Sequence, residues 1–462
     1  MVTSRLFAIV MGAAFCTGCV TVGPNYARPV VEPPTVYRGA DDTSTAMPSL
    51  AEQHWDAVFP DQALQQLIRS ALEHNFDVRI AASRIVQAQA QFGVARADRF
   101  PTVQGQAIAQ AQHSSLQSDA SPQTVGLGQI GVSASWELDF WGKFRRATEA
   151  AQAEILASEW GKRAVVSSLV SQVAGTYFEL RALDSDLEIS QNTLMSREES
   201  LRLTEVRERG GATSLVDVRQ AEQLVINARA QIIDLQRRIE QNENALQVLL
   251  GANPGPVTRG RTLVDQPRAP EVPSGLPSAL LDRRPDIREA EQLLVAANAE
   301  IGVAKAAYFP QISLTGSGGI ASAALTNLFT AGAWSAAATA AQPLFNAGRI
   351  RSQVELATAR REEAELRYLQ TVQLAFREVS DALAGYRRLR QLRETQETLV
   401  VAAQDARRLA DLRYQGGATS YLEVLDSDTR LFVAQLALVQ AQLDEQSAFV
   451  EIYRALGGGW ES

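Results

Sequence analysis

The sequence contains very little cysteine and histidine. Of its 462 residues only two are cysteines, Cys16 and Cys19, and three are histidines, His54, His74 and His113. Both cysteines lie close to the amino terminus, so the rest of the chain has no residues for a disulfide framework or a cysteine-based zinc site. The histidines are scattered without ligand spacing. This distribution predicts a protein without a metal centre and without a bound cofactor.

Basic charge and long apolar runs are also missing. The net charge is −8 at pH 7, and aromatic residues make up 6% of the chain. A nucleic-acid-binding protein needs a basic surface that neutralises phosphates, so we expect no nucleic-acid partner. Beyond the amino-terminal segment no apolar run approaches the roughly 18 residues that a membrane-spanning helix requires, which argues against helical membrane spans.

Motifs for catalysis are likewise absent. The sequence has no Gly-x-Ser-x-Gly nucleophile elbow, and its Gly-Gly turns lack the following Lys-Ser/Thr of a Walker loop. The chain is therefore expected not to be an enzyme. Any energy-requiring step has to be driven by a partner.

The first residues have the pattern of an export signal. Arg5 supplies a positive start, an apolar stretch follows, and small residues precede Cys19. We predict a signal peptide over residues 1–18, after which Cys19 becomes the acylated first residue of the mature chain. Cys16 stands where the usual lipobox has Leu, and Val20 is not the Asp that retains bacterial lipoproteins in the inner membrane. The alternative is that both cysteines are incidental thiols of a discarded peptide.

The chain does contain a long internal repeat. Gly210-Gly211-Ala212-Thr213-Ser214 returns as Gly416-Gly417-Ala418-Thr419-Ser420, and Phe100-Pro101 returns as Phe309-Pro310. The repeated unit has about 200 residues, which is far longer than a solenoid repeat. A duplication of this size indicates one pseudo-symmetric body rather than a string of modules.

The repeat and two proline-rich stretches predict the domain organisation. Each unit has the same order: a helix, an extended hairpin, a very long helix without proline, a Gly-Gly turn and a second long helix. At about 1.5 Å per residue, a helix of about 65 residues is roughly 100 Å long. Repeat 1 is predicted at 61–250, with a β-hairpin at about 101–140 and a helical hairpin at about 143–250. Repeat 2 is predicted at 281–456, with a β-hairpin at about 310–344 and a helical hairpin at about 348–456. The remaining segments are a linker and equatorial segment at 19–60, an equatorial proline-rich linker at 251–280 and a tail at 457–462.

The extended hairpins have the weak pattern of membrane-crossing strands. Val132, Ala134 and Trp136 alternate with Ser133 and Ser135, and a spanning strand needs only about 9–11 residues with one apolar face. One interpretation is a small soluble sheet. The other places the strands in lipid, where open sheet edges are forbidden. Four strands cannot close around a lumen, so the second interpretation requires several chains in one barrel.

Longer motifs occur in a fixed order along nearly the whole chain. They are Val22-Gly23-Pro24-Asn25-Tyr26-Ala27-Arg28-Pro29 after Cys19, Trp136-Glu137-Leu138-Asp139-Phe140-Trp141-Gly142-Lys143, Arg283-Arg284-Pro285-Asp286-Ile287-Arg288, Ala307-Tyr308-Phe309-Pro310, Pro343-Leu344-Phe345-Asn346-Ala347-Gly348-Arg349, and residues 416–426. With these motifs the chain resembles outer membrane factors of tripartite efflux systems, of the TolC/OprM type and its NodT-like lipoprotein subgroup. The resemblance implies a mainly α fold with a small β part. Duplicated helical hairpins would form a periplasmic α-barrel, and a homotrimer would join four strands per chain into a twelve-stranded outer-membrane β-barrel.

The same resemblance implies a lipid-anchored outer-membrane protein that extends into the periplasm and passively conducts small molecules. Its expected partners are a periplasmic adaptor protein, an inner-membrane transporter of the resistance-nodulation-division class, and outer-membrane lipid. The rival interpretation is a non-conducting trimeric coiled-coil tether or adhesin, which needs neither four short strands nor a duplicated hairpin. The sequence leaves the exported substrate and the identity of the pump open.

The turns between the long helices contain the candidate functional residues. Ser214-x-x-Asp217 and Ser420-x-x-Glu423 both resemble capping boxes. Glu423 and Asp426 are three residues apart and share one helix face. Threefold symmetry would bring six such carboxylates around one axis, where they repel each other and attract cations. The resemblance implies that Glu423 and Asp426 line the periplasmic entrance of a channel.

The resemblance also implies a hydrogen-bonded latch between neighbouring hairpins that includes Asp217 and Tyr414. Helix capping alone is the alternative role for Asp217. Thr419 stands where some relatives have the latch arginine; Arg413 or Arg209 could replace it, or could simply interact with a helix dipole. The turn glycines are expected to allow a tight reversal and to contact the adaptor. These glycines are Gly210, Gly211, Gly416 and Gly417.

Overall fold

The computed structural model describes residues 21–38, 49–114, 123–267, 272, 274–322 and 332–460. The predicted signal peptide and Cys19 lie outside these residues. After a short 3₁₀ turn at Leu50–Glu52 the elements are α1 (Trp55–Val58), α2 (Gln62–His74), α3 (Phe76–Ala97), β1 (Thr102–Ser114), β2 (Gln123–Glu137), α4 (Lys143–Arg209), α5 (Leu215–Leu249), α6 (Pro277–Arg283), α7 (Pro285–Ala306), β3 (Gln311–Ser322), β4 (Gly332–Ala341), α8 (Arg349–Gln415) and α9 (Tyr421–Ala455).

The duplication extends to the lengths of the helices. In both halves a helix of 22 residues, α3 or α7, leads into two strands. A helix of 67 residues follows, α4 or α8. A Gly-Gly turn then leads into a helix of 35 residues, α5 or α9. None of the helices in the described part of the chain is long and apolar enough to cross a membrane.

Side chains just before the helices satisfy their first backbone N–H groups. The Asp61 carboxylate accepts from Ala63 N–H at 2.9 Å at the start of α2. The Asn75 amide oxygen accepts from Asp77 N–H at 2.8 Å at the start of α3. Asp139 accepts from the N–H groups of residues 144 and 145 at 3.2 and 3.0 Å as α4 begins. Such caps explain where these helices start, and the lack of internal proline allows them to continue.

The four strands form one antiparallel sheet in the order β1-β2-β3-β4. The β2–β3 ladder joins the two repeats and pairs Ile130 with Ile320. Here the backbones of β2 and β3 lie very close together: a Cβ added to Gly319 would lie 2.3 Å from the carbonyl oxygen of Ile130. The central pairing therefore depends on glycine, and it leaves β1 and β4 at the two edges of the sheet.

The chain forms two compact units, and each unit includes segments of both repeats. The first comprises residues up to 30, 84–159 and 289–369; the second comprises 31–83, 160–288 and 370–462. In the first unit α4 and α7 meet through small residues, which are Ala150, Ala153, Ala296 and Ala299. In the second unit aromatic rings pack edge to face, with the centroids of Phe59 and Tyr453 5.7 Å apart.

A buried carboxylate organises part of the second unit. Asp61 is 2% exposed. Its Oδ2 accepts from Tyr177 Oη at 2.9 Å, from Gln266 Nε2 at 2.9 Å and from Arg261 N–H at 3.0 Å. Burial by itself raises the pKa of Asp61, but the hydrogen bonds from Gln266, Tyr177 and two backbone N–H groups outweigh it and hold the pKa below its usual range.

Candidate functional site

The two Gly-Gly turns have the same backbone geometry. At the end of α4, Gly211 N–H donates to Glu208 O at 2.8 Å and Ala212 N–H donates to Arg207 O at 2.8 Å. At the end of α8, the N–H groups of residues 417 and 418 donate to carbonyls of residues 414 and 413 at 3.1 and 2.8 Å. This is the Schellman arrangement, in which the residue after the helix has a positive φ. That φ is 72° at Gly211 and 73° at Gly417.

The second glycine of each pair is therefore the one that the turn requires. Gly417→Ala should lower the free energy of unfolding by about 1–2 kcal/mol, because an L-residue with a side chain is strained at this φ. Gly416→Ala is the matched control: Gly416 does not have a positive φ, and the nearest atom to an added Cβ would be Leu412 O, at an ordinary contact distance of 3.4 Å. Thermal unfolding of the two variants measures the difference, and equal destabilisation would contradict this assignment.

At the first tip the predicted capping box is confirmed. Asp217 N–H donates to Ser214 Oγ at 3.4 Å, and Asp217 Oδ2 accepts from Ser214 N–H at 3.1 Å. The same carboxylate also accepts from the hydroxyl of Thr213. The hydrogen bond from Thr213, together with those from Ser214, outweighs the opposing effect of burial and holds the pKa of Asp217 below its usual range. Asp217 thus caps α5 as an ionised group.

At the second tip the predicted capping box is wrong. The Ser420 side chain makes no cap hydrogen bond at the start of α9. Glu423 instead accepts from Arg413 Nη1 at 2.8 Å through Oε1 and from the Thr419 hydroxyl through Oε2. Both carboxylate oxygens of Glu423 therefore bind side chains, those of Arg413 and Thr419, instead of the Ser420 backbone N–H. Arg413, one of the two arginines considered for the latch, pairs with Glu423, a predicted entrance carboxylate of the same chain.

Asp426 has a separate partner. Its Oδ2 lies 2.8 Å from Arg430 Nε, and both side chains are largely exposed, at 58% and 76%. Each of the two predicted entrance carboxylates, Glu423 and Asp426, thus has its own arginine within one chain. The pairs are solvent-exposed, so the attraction in each is weak and sensitive to salt.

Tyr414 lies in a small apolar cluster behind the turns. Its ring centroid is 5.4 Å from that of Tyr421, and the Arg207 guanidinium lies 4.4 Å from the ring. Tyr421 Oη lies 3.1 Å from Ser200 Oγ. The Tyr414 hydroxyl, in contrast, is buried without a hydrogen-bond partner among the described residues. Within one chain, Tyr414 and Asp217 are therefore not joined to each other.

A buried charge cluster behind the tip, which we call the Asp428 clamp, was not identified from the sequence. Asp428 Oδ2 accepts from Arg197 Nε of α4 at 2.9 Å, and Oδ1 accepts from Arg407 Nε of α8 at 3.3 Å. Arg197 Nη1 also donates to Leu224 O of α5 at 3.2 Å, and its guanidinium lies 5.1 Å from the Phe432 ring. The clamp therefore connects the four long helices of both hairpins.

A signal for this cluster was present in the spacing of α9. Tyr421, Val424 and Asp428 follow the i, i+3, i+7 pattern of one helix face, and all three are buried. A carboxylate on an apolar stripe needs charged partners. Next to the clamp is a cleft of about 440 Å³ whose walls include Asn192, Gln404 and Phe432. Among the described residues no cluster of histidine, cysteine and acidic side chains could hold a metal ion.

Comparison with known proteins identifies relatives along the whole chain. A family model described as outer membrane efflux protein matches residues 67–252 and 276–458. The solvent efflux pump outer membrane protein SrpC of Pseudomonas putida is 39% identical over 471 residues, which cover 98% of this chain and 97% of SrpC. The cation efflux system protein CusC of Escherichia coli is 35% identical over 449 residues, covering 96% of each chain.

A solved structure shows the same likeness. The open state of the MtrE outer membrane channel of Neisseria gonorrhoeae superposes with a TM-score of 0.85 at 32% identity, covering 96% of this chain and 99% of MtrE. The predicted fold class and the predicted exit-duct function are thereby confirmed, and the tether or adhesin is not favoured. These relatives are efflux channels rather than enzymes. Because the family model covers both repeats, the chain belongs to the outer membrane efflux protein family.

Proposed function

We propose that three copies of this chain assemble into one conduit. Within the described residues β1 and β4 each pair on one side only. In lipid every backbone polar group needs a partner, so these edges have to be joined to strands of other copies. Three sheets of four strands supply twelve strands, enough for a barrel with an open lumen. This sheet with two unpaired edges is the observation that carries the proposal.

The conduit receives its cargo from partners. Relatives are named for efflux of solvents, toluene, antibiotics and cations. A passive duct takes its specificity from its pump, so we assign to this chain small molecules delivered by an inner-membrane transporter of the resistance-nodulation-division class. A periplasmic adaptor would join the two by contacting Gly210, Gly211, Gly416 and Gly417. A lipid on Cys19 would anchor the chain in the outer membrane, with the helical hairpins in the periplasm.

The proposed gate lies at the hairpin tips. In a trimer, Glu423 and Asp426 would give six carboxylates at the periplasmic entrance, each balanced in the closed state by Arg413 or Arg430 of its own chain. Among the described residues the Tyr414 hydroxyl is buried and has no hydrogen-bond partner, so a latch to a neighbouring copy through Tyr414 would require the hairpin tips to shift and expose this group. Opening would separate such contacts and leave the carboxylates facing the passage.

Neutralising both entrance carboxylates tests this gate. For the double variant Glu423→Gln, Asp426→Asn we expect a several-fold fall in the preference for cations over anions and a change in single-channel conductance. The reason is that carboxylates at a constriction concentrate cations. The measurement is single-channel recording in planar bilayers at low salt, where screening is weak.

Asp234→Asn is the matched control. Asp234 is an exposed carboxylate on α5 that pairs with Arg237 at 2.6 Å, so this change removes one charge away from the tip. Its ion preference should equal that of the original protein. A double variant with the same ion preference as the control would exclude Glu423 and Asp426 from the entrance, while conduction itself would still support the duct.

A further inference from the structure

Residues 21–28, which follow Cys19 closely, are held against the helices by hydrogen bonds. The first contacts of this segment are with α4 and the residues before it, in repeat 1. Val22 N–H donates to Trp141 O at 3.0 Å. Arg146 of α4 donates through Nη2 to Asn25 Oδ1 at 2.8 Å and through Nε to Val22 O at 3.4 Å. Arg146 is buried, so its guanidinium depends on these acceptors and on Glu149 for its hydrogen bonds.

The next residues of the segment bind to repeat 2. Asn298 Nδ2 of α7 donates to Pro24 O at 3.0 Å. Glu291, also on α7 and buried, accepts from Tyr26 Oη at 3.3 Å and pairs with Arg28 Nε at 3.2 Å. Burial and the neighbouring Glu291 carboxylate raise the pKa of Tyr26 above its usual range. Residues 21–28 therefore contact both repeats, through α4 and through α7.

Residues 21–28 can approach α7 this closely only because Gly302 of that helix has no side chain. Gly23 has a φ of 105°, and a Cβ on it would lie 2.6 Å from Gly302 Cα. A Cβ on Gly302 would lie 2.7 Å from Arg146 Cγ and 2.8 Å from Val22 O. Gly93 is the equivalent of Gly302 in repeat 1, and a Cβ there would meet nothing within 4 Å. The close approach thus occurs at Gly302 in repeat 2 and not at the equivalent Gly93 in repeat 1.

We propose that residues 21–28 are a strap that locks the seam between the two repeats and holds the amino-terminal end of the chain beside the β2–α4 junction. The strap contacts α4, α7 and the residue before Gly142, so releasing it removes polar partners from both repeats at once. One consequence rests on the proposed lipid at Cys19: the acyl chains would enter the membrane at a fixed position relative to the sheet instead of on a freely moving tether.

The duplication supplies a matched pair of substitutions that tests the strap. In an exposed helix Gly→Ala is stabilising by about 1 kcal/mol, so Gly93→Ala should keep or slightly raise the melting temperature. Gly302→Ala should lower it, because the added methyl group displaces the strap. Chymotrypsin cleavage after Tyr26 in the full-length protein in detergent reports release directly. We expect cleavage at least about tenfold faster in Gly302→Ala, since proteolysis follows the population of the open segment, and no change in Gly93→Ala.

Two further variants separate the possible outcomes. Gly23→Val changes the strap alone and leaves the helices intact, so it should also accelerate cleavage after Tyr26. Cys19→Ser removes the proposed lipid site; the strap should stay protected in it, and rapid cleavage in this variant would overturn the strap as an independent lock. Equal cleavage in Gly302→Ala, Gly93→Ala and the original protein would overturn the proposal as well. Neither result bears on conduction, which tests the duct.

Discussion

Replacing Asp61 by alanine is expected to lower the free energy of unfolding by about 3–5 kcal/mol, because it leaves several buried donors without an acceptor. The carboxylate accepts from Tyr177 Oη, Gln266 Nε2 and the N–H groups of Ala63 and Arg261. These groups come from α2, α4 and the segment after α5, so one substitution loosens three parts of the second unit. Thermal and denaturant unfolding in detergent measure the loss.

Asp56→Ala is the control for this change. Asp56 is an exposed carboxylate nearby, held at 2.8 Å by the ring of His54, and its removal should leave the melting temperature unchanged within error. Tyr177→Phe removes a single donor to Asp61 and should have an intermediate effect. An Asp61→Ala protein as stable as the Asp56→Ala protein would show that the network contributes nothing net.

The contribution of Asp61 should also depend on pH. The folded-state pKa of Asp61 lies below its ordinary value, which is about 3.9. The stabilisation is therefore fully present above the unfolded-state pKa and is lost as the pH falls through the folded-state pKa. The difference in stability between the original protein and Asp61→Ala should be constant from about pH 6 to 8 and should shrink below about pH 4. A difference that grew on acidification would contradict the assigned sign.

Asp428→Ala is expected to destabilise the tips by about 3–5 kcal/mol, since it leaves the buried Arg197 guanidinium without its carboxylate. Arg407 loses the same partner but keeps its ion pair with Asp411. The side chains of Asp428, Arg197 and Arg407 are 12%, 5% and 16% exposed. Because the clamp joins both hairpins, the loss should increase hydrogen exchange in the turns of both tips, and it should raise the probability that the proposed gate is open in bilayer recordings.

Asp426→Ala is the matched control for the clamp. It removes the same type of side chain two residues earlier on α9, where the carboxylate pairs, within the described part of the chain, with Arg430 of the same helix. An exposed i, i+4 pair contributes about 0.3–0.5 kcal/mol, so exchange in the turn of the first hairpin should not change. If the two variants increased exchange equally, the Asp428 clamp would have no special role in joining the hairpins.

Features with a local pattern were predictable. The identical lengths of the long helices follow from the repeat and from the absence of proline between residues 143 and 209. The turns at Gly211 and Gly417 follow from the glycine that a Schellman motif prefers. The Asp217 cap was recognisable because its partners are three and four residues away. In each case the relevant partner lies within a few residues along the chain.

Partner choice over long sequence distances was not predictable in this way. Ser420-x-x-Glu423 has the same spacing as the first capping box, but Arg413, ten residues away across the turn, takes the carboxylate. The segment after Cys19 was predicted as a linker because of its prolines; the structure docks it through Arg146 and Glu291, residues more than a hundred positions distant. The proline pattern alone does not distinguish a segment that packs against distant helices from a flexible linker.

The sequence by itself determined the duplicated order of elements, the long proline-free helices, the four strands and the family. Repetition and local spacing encode these features, and backbone hydrogen bonding within each element enforces them. Only the tertiary structure decided which of many carboxylates are buried and what they bind, including Asp61 and Asp428. Burial makes an unpaired charge costly, and whether a group is buried depends on residues that the fold brings together from distant parts of the chain.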